Sequence, residues 1–175
     1  MVYRTVEFDG NDSDARALPF PNLPYESEPE NCVLKKKLSF SLEFTATFTC
    51  DNKMEMFADD QSLGMDSNWG NPTTYLVPGN TRVLSVAGED YGGGHLGILG
   101  STSNGQVTNE TWKCNSVLYP GWTSPAFDDQ NWPLAKVIAN HGDSPWNTIN
   151  GIAMTAKWIW ENTNSNTAYC RLTLQ

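Results

Sequence analysis

The chain has 175 residues, which suffices for one domain with a packed core and is too short for two of ordinary size. Charged residues make up only 18% of it and the formal net charge is −9, so its field opposes nucleic acid and anionic membranes as partners. No apolar run reaches the roughly 18 residues that a membrane-spanning helix requires. The sequence therefore predicts a single domain over residues 1–175, with no membrane insertion and no nucleic-acid partner.

The cysteines indicate an oxidising compartment. The chain has four of them, at Cys32, Cys50, Cys114 and Cys170. They form no CxxC pair and have no clustered histidine, so two disulfides fit the spacing better than a zinc site. Residues 1–10 show no signal-peptide pattern, so either a leader has been removed or the protein is cytosolic, and the cysteines favour the first alternative. Sequons at Asn11 and Asn109 agree with a secreted glycoprotein, and we predict an extracellular location.

The first 31 residues are predicted to be irregular, because four prolines interrupt any regular element. These are Pro19, Pro21, Pro24 and Pro29. We expect residues 1–31 to pack on the outside of the domain through Phe20, Leu23 and Tyr25.

The clearest strand follows at residues 38–48. Apolar and polar residues alternate there, with Leu38, Phe40, Leu42, Phe44, Ala46 and Phe48 on one face. This period of two predicts a long, half-buried strand and excludes a helix.

Shorter strands are predicted along the rest of the chain. They cover residues 53–58, 81–87, 96–99, 157–160 and 168–174, and residues 111–114 lead into a long connection. Residues 59–72 are polar and predicted to form a loop. Short strands separated by turn signals, with no amphipathic helical run, predict an all-β sandwich or barrel.

No catalytic motif is present. His95 and His141 lie in glycine-rich contexts, and the chain contains no GxSxG, HExxH, phosphate-binding or dinucleotide-binding pattern. Its paired acids are adjacent in sequence, as in residues 59–60 and 128–129, and do not form an acid/base pair across a cleft. The sequence therefore predicts a binding protein and not an enzyme.

The most distinctive segment covers residues 121–133. Asp128 or Asp129 can cap a tight turn there, with Phe127 and Trp132 directed inward from its two sides. We interpret this segment as a structural latch. Along the strand at residues 157–160, two tryptophans alternate, so one should face the core and the other the opposite surface.

At these residues the sequence resembles the galactose-binding-domain-like jelly rolls. The resemblance rests on a GW…FDDxxWPxA segment (residues 121–135), followed by WIW (158–160) and YCR (169–171). The TCDN turn (49–52) and an LVPGNTRVLSVAG stretch (76–88) fit the same pattern. Modules of this family occur in animal extracellular proteins and as accessory domains of bacterial glycoside hydrolases. The resemblance implies an antiparallel β-sandwich of the jelly-roll type, and implies function only loosely.

One departure and one disulfide pattern accompany the resemblance. The family often shows a Tyr/Leu-Val-Asn-Gly hairpin where this chain has residues 56–60. A jelly roll can place Cys50 beside Cys170, which would leave Cys32 to pair with Cys114. The spacing itself leaves all three connectivities open.

Folds of this family often hold calcium, which requires six to eight oxygen ligands. The acidic and amide side chains in turns are Asp51, Asn52, Asp59, Asp60, Asp66, Glu89 and Asp90. We predict that some of them bind one Ca²⁺. The alternative is that Asp and Asn are simply favoured in turns.

A carbohydrate site combines an aromatic ring, which stacks on a sugar, with polar groups for the hydroxyls. The candidate ligand-binding residues in loops are Asn68, Trp69, Asn71, Tyr91, His95, Trp146 and Asn147. Glycines after Tyr91 allow a ligand to approach the backbone. The alternative for each aromatic residue is that it folds down onto the core.

The sequence therefore favours a secreted lectin-like module that binds a carbohydrate or glycoconjugate. One alternative is an extracellular matrix, adhesion or mineral-associated protein that binds calcium and protein partners. Another is an accessory domain of a glycosidase. A multivalent lectin would require a homo-oligomer.

Overall fold

The computed structural model describes residues 42–163 and 165–174. Within these ranges the chain forms ten strands and no helix, so none of the described residues belongs to a helix that could cross a membrane. The strands are β1 (Phe44–Asp51), β2 (Lys53–Ala58), β3 (Gln61–Asp66), β4 (Thr73–Val77), β5 (Val83–Glu89), β6 (Gly97–Thr102), β7 (Lys113–Asn115), β8 (Lys136–Asn140), β9 (Lys157–Trp160) and β10 (Thr167–Thr173). The predicted outer segment 1–31, with its sequon at Asn11, lies outside the described residues.

The strands form two five-stranded sheets. Sheet I has the order β4-β1-β6-β9-β8, and sheet II has the order β3-β2-β5-β10-β7. Every pairing between neighbouring strands is antiparallel. The two sheets enclose a common core that contains Phe48, Met56, Leu84, Trp112 and Trp160. The predicted all-β sandwich is therefore confirmed.

The first described strand begins and ends later than the sequence predicts. Phe44, Ala46 and Phe48 face the core as expected, but Leu42 is exposed and precedes the strand. The strand continues to Asp51, with every residue from Phe48 onward buried. The alternation breaks down because other segments cover the outward face at this end of the strand.

Strands β3, β4 and β8 are absent from the sequence prediction, which had a loop at residues 59–72 and a long connection after residues 111–114. All three lie at sheet edges. An edge strand buries fewer side chains, and β3 shows no clear alternation of buried and exposed residues. Its pairing with β2 also contains an irregularity next to Met56. Hydrophobic periodicity therefore carries little signal for these strands.

A glycine allows β1 and β6 to approach closely. A Cβ atom added to Gly100 would lie 2.2 Å from Cδ1 of Phe48, which is fully buried. We expect Gly100→Ala to lower the free energy of unfolding by about 2–3 kcal/mol, because the packed ring cannot move aside. Chemical denaturation measures the change, with Gly70→Ala as the matched control, since its Cβ would meet nothing closer than 3.8 Å. Equal stability of the two variants would contradict this packing.

Both faces of sheet I are covered, which corrects the expectation that one tryptophan of β9 lies at the surface. Trp160 packs in the core between the sheets, whereas Trp158 points to the opposite face, and both are fully buried. Residues 141–156, here called the covering segment, cross that face through apolar residues such as Ile149 and Ile152. A hydrogen bond within the covering segment joins two of its residues, since the Ile149 amide donates to Nε2 of His141 at 2.8 Å.

The predicted latch covers the outer face of sheet II. Trp122 packs edge-on against Tyr169 of β10, and Phe127 and Trp132 pack against each other. The buried Arg171 of β10 holds the latch by donating to the carbonyl oxygens of Ser124 and Phe127. Asp128 accepts a hydrogen bond from the Gln130 amide, as a capping residue does.

The disulfide differs from the expected pattern. Cys114 of β7 and Cys170 of β10 are direct cross-strand partners and form the bond, so neither a Cys50–Cys170 nor a Cys32–Cys114 pair exists. Cys50 lies on β1 in the other sheet, opposite Ile98. It is buried as a free thiol whose pKa is raised, chiefly by burial. Cys32 lies outside the described residues.

Candidate functional site

Three segments converge at one end of the sandwich, here called the loop end. They are the β3–β4 loop (residues 67–72), the β5–β6 loop (90–96) and the covering segment. All seven candidate ligand-binding residues lie on these segments: Asn68, Trp69, Asn71, Tyr91, His95, Trp146 and Asn147. The fold thus brings together residues that span about half of the chain.

The TCDN motif holds the three segments in place. Thr49 Oγ1 donates to the carbonyl oxygen of Trp69 at 2.9 Å. Asp51 Oδ2 accepts the indole N–H of Trp146 at 2.8 Å. Asn52 Oδ1 accepts the backbone N–H groups of Tyr91 at 3.0 Å and of Gly92 at 2.9 Å. Each polar side chain of this motif therefore anchors a different segment of the loop end.

The candidate aromatic residues differ in exposure. Trp69 is 38% exposed and Tyr91 is 65% exposed, so both present ring surface to solvent. Trp146 is only 4% exposed and stacks on Trp158 with ring centroids 4.4 Å apart. The ring of His95 also packs edge-on against Trp146, with ring centroids 5.7 Å apart. Trp146 therefore supports the loop end from below, whereas Trp69 and Tyr91 are available to a ligand.

The β5–β6 loop is shaped by Asp90 and by glycines. The buried carboxylate of Asp90 accepts the N–H groups of Gly92 at 3.1 Å and Gly93 at 3.2 Å. Gly93 has φ +66° and Gly94 has φ +121°, conformations that disfavour any other residue. A Cβ at either position would meet no atom within 4 Å, so the backbone here is open to an approaching molecule.

The predicted calcium ligands do not form one group. Asp51, Asn52, Asp66, Glu89 and Asp90 lie at the loop end, because Lys53 and Met54 at the start of β2 pair with Glu89 and Asp66. Asp59 and Asp60 follow the other end of β2, where Asp59 caps the Arg82 and Val83 amides. Across the described ranges no cluster of three or more His, Cys, Asp or Glu side chains is arranged to hold a metal.

Most of the candidate calcium oxygens already accept hydrogen bonds from the chain. The carboxylate of Asp51 accepts from Asn52 and Trp146, and Asn52 Oδ1 accepts from two amides. Asp66 Oδ2 differs, since it is buried with no partner in the described part of the chain. Burial and the nearby Asp66 charge raise the pKa of Tyr75 to about 12. A calcium ion at the loop end would have to compete with these hydrogen bonds, and Asp66 Oδ2 is an oxygen that makes none with the described residues.

The comparisons with known proteins give one partial sequence match and no family. No protein-family model matches the chain. An 86-residue stretch, 46% of this chain, is 47% identical to an alpha-L-rhamnosidase of Streptomyces avermitilis. The match spans only 8% of the length of that curated relative.

Among solved structures, the apo form of the Pleurotus ostreatus lectin is similar over 62% of this chain and 35% of its own, at 18% identity. Its TM-score of 0.42 is too low to carry a conclusion, and the fold assignment depends on the two sheets themselves.

Proposed function

We propose that this chain is a non-catalytic carbohydrate-binding module whose site is the loop end. The observation that carries the proposal is the arrangement made by the TCDN motif. Its three polar side chains anchor three separate segments, two of which present the exposed rings of Trp69 and Tyr91. Rigidly positioned aromatic rings at the rim of a β-sandwich suit a ligand that has both apolar and polar faces.

A sugar ring matches the chemistry of this surface. Its C–H face stacks on an aromatic ring, and its hydroxyl groups need donors and acceptors at the edge of that contact. Exposed Asn68 and Asn71 flank Trp69, and exposed His95 follows the open glycine backbone. These groups supply both donors and acceptors.

The similarity to the rhamnosidase supports the carbohydrate class and selects the first probes. Identity of 47% over 86 residues implies a shared module, and the coverage of 8% of the enzyme implies that the module is a small part of it. Glycans with terminal L-rhamnose are therefore the first ligands to test. Because the sequence contains no catalytic motif and its paired acids are adjacent in the chain, we propose binding without catalysis here.

An extracellular location is part of the same proposal. The buried disulfide between Cys114 and Cys170 supports it, since such bonds persist in oxidising compartments. The Asn109 sequon lies on the described surface and is half-buried, with its side-chain oxygen accepting from Thr111. Glycosylation at this residue, calcium binding and assembly into a homo-oligomer remain predictions.

A glycan array on the protein tests the function, run once with calcium and once with chelator. We expect selective binding to one sugar class. Equal binding in both conditions would separate the sugar site from calcium, whereas loss in chelator would add a metal to the loop end. An array with no signal in either condition would contradict the proposal and favour the matrix or adhesion alternative.

A further inference from the structure

A cleft lies on sheet II, away from the loop end. It has a volume of about 530 Å³ and is lined by Gln106, Thr111, Lys113, Asp129, Arg171 and Thr173. Thr173 is at the end of β10 opposite to Thr167, which pairs with Glu89 at the loop end. The cleft is therefore separate from the proposed sugar site.

Two cations and one carboxylate form the wall of this cleft. The ammonium group of Lys113 donates to Oδ1 and to the carbonyl oxygen of Asp129, both at 2.8 Å. The guanidinium of Arg171 lies 3.3 Å from Asp129 Oδ2. Both carboxylate oxygens are thus engaged, and the wall keeps a net charge of +1 from these three groups.

The same wall has more hydrogen-bond donors than acceptors. Arg171 Nε is buried with no partner among the described residues, and Lys113 uses two of its three N–H groups. The side-chain amide of Gln106 also lines the cleft and can both donate and accept. The nearby carboxylate of Glu110 is engaged by Lys157 at 3.0 Å. Lys113 therefore keeps one N–H for a ligand, and the Gln106 amide can donate beside it.

Two other clefts among the described residues carry a net negative charge, and a third has no net charge. The cleft beside β2 is lined by Lys53 together with Glu55 and Glu89. The cleft at the C-terminal end of β2 is lined by Arg82 together with Asp59 and Asp60. In a chain with a formal net charge of −9, a cleft with a cationic wall is the place where the field favours an anion.

We propose that this cleft binds a small oxyanion, a carboxylate or sulfate group carried on an acidic saccharide. Lys113 attracts the anion, Gln106 and the Thr173 hydroxyl donate to it, and Asp129 positions Lys113 without competing for its free N–H. The module then has two sites at opposite ends of the sandwich, one for a sugar face and one for a charged group.

The test is an NMR titration of the isotopically labelled full chain at low ionic strength. The probes are D-galacturonate, D-galactose and sodium sulfate. We expect galacturonate to shift the amide signals of Gln106, Lys113 and Thr173, whereas neutral galactose leaves them unchanged. Gln106→Glu should weaken galacturonate binding about three- to tenfold and Gln106→Lys should strengthen it, because each adds a charge at the cleft.

Gln61→Glu is the matched control, since it adds the same charge on β3 at the other edge of sheet II. Thermal melting verifies that all variants are folded. Shifts with sulfate alone would support the oxyanion site and assign it to free anions, whereas shifts with galacturonate assign it to an acidic saccharide. Identical shifts with galactose, no shifts with either anion, or equal responses of the Gln106 and Gln61 variants would overturn the proposal. Sugar binding at the loop end uses other residues and would be unaffected.

Discussion

Replacing Trp146 with alanine is expected to lower the free energy of unfolding by about 3–5 kcal/mol, the usual cost of truncating a buried tryptophan. The ring is 4% exposed and stacks on Trp158, which is fully buried. Its N–H is also the donor to Asp51 Oδ2, which would be left buried with one partner fewer. Denaturant titration followed by circular dichroism measures the change.

Comparing Trp146→Ala with Trp146→Phe distinguishes a supporting role for Trp146 from direct contact with a ligand. Trp146→Phe keeps an aromatic ring on Trp158 but removes the donor to Asp51, so we expect a smaller loss of about 1–3 kcal/mol. If Trp146 were instead an exposed ligand contact, Trp146→Ala would leave stability within about 0.5 kcal/mol of wild type, as surface substitutions do. That result would contradict the packing of the covering segment.

Removing the disulfide should also produce a large loss of stability. Cys114 and Cys170 are 56 residues apart, and opening a loop of that length costs about 4 kcal/mol in the chain-entropy treatment. We expect the Cys114→Ala/Cys170→Ala variant to melt well below wild type. Reductant should lower the melting temperature of wild type and leave that of the double variant unchanged.

Cys50→Ala is the control for this experiment. Its thiol is free and buried, so the substitution removes one small apolar group and should cost about 1 kcal/mol. The variant should still respond to reductant. If Cys50→Ala were as unstable as the double variant and insensitive to reductant, Cys50 would be the partner of Cys170, contrary to the structure.

The sequence predicts the central strands well and the edge strands poorly. Alternation marks β1 and β10 because each buries one face against the core. No such signal exists for β3, whose residues are all exposed or half-buried. The pairing of cysteines was wrong for a related reason, because sheet membership depends on long-range pairing that spacing does not encode.

The sequence predicts the residue types of the candidate site but not the contacts that hold these residues in place. Aromatic and amide residues in glycine-rich loops mark segments that meet at the loop end, yet exposure separates Trp69 and Tyr91 from Trp146. The TCDN motif was interpreted as scaffold and as a source of calcium ligands. Its contacts join residues 20 to 95 positions apart, which only the folded structure brings together.

The most direct test of the central claim is calorimetric titration of the glycan that binds most strongly on the array. Trp69→Ala and Tyr91→Ala should each weaken binding at least about tenfold, the effect of losing roughly 1.4 kcal/mol of stacking. Tyr119→Ala, at an exposed ring that packs against Trp132 of the latch, should bind as wild type does. If folded Trp69→Ala and Tyr91→Ala proteins bind the glycan with unchanged affinity, the loop end is not the carbohydrate site.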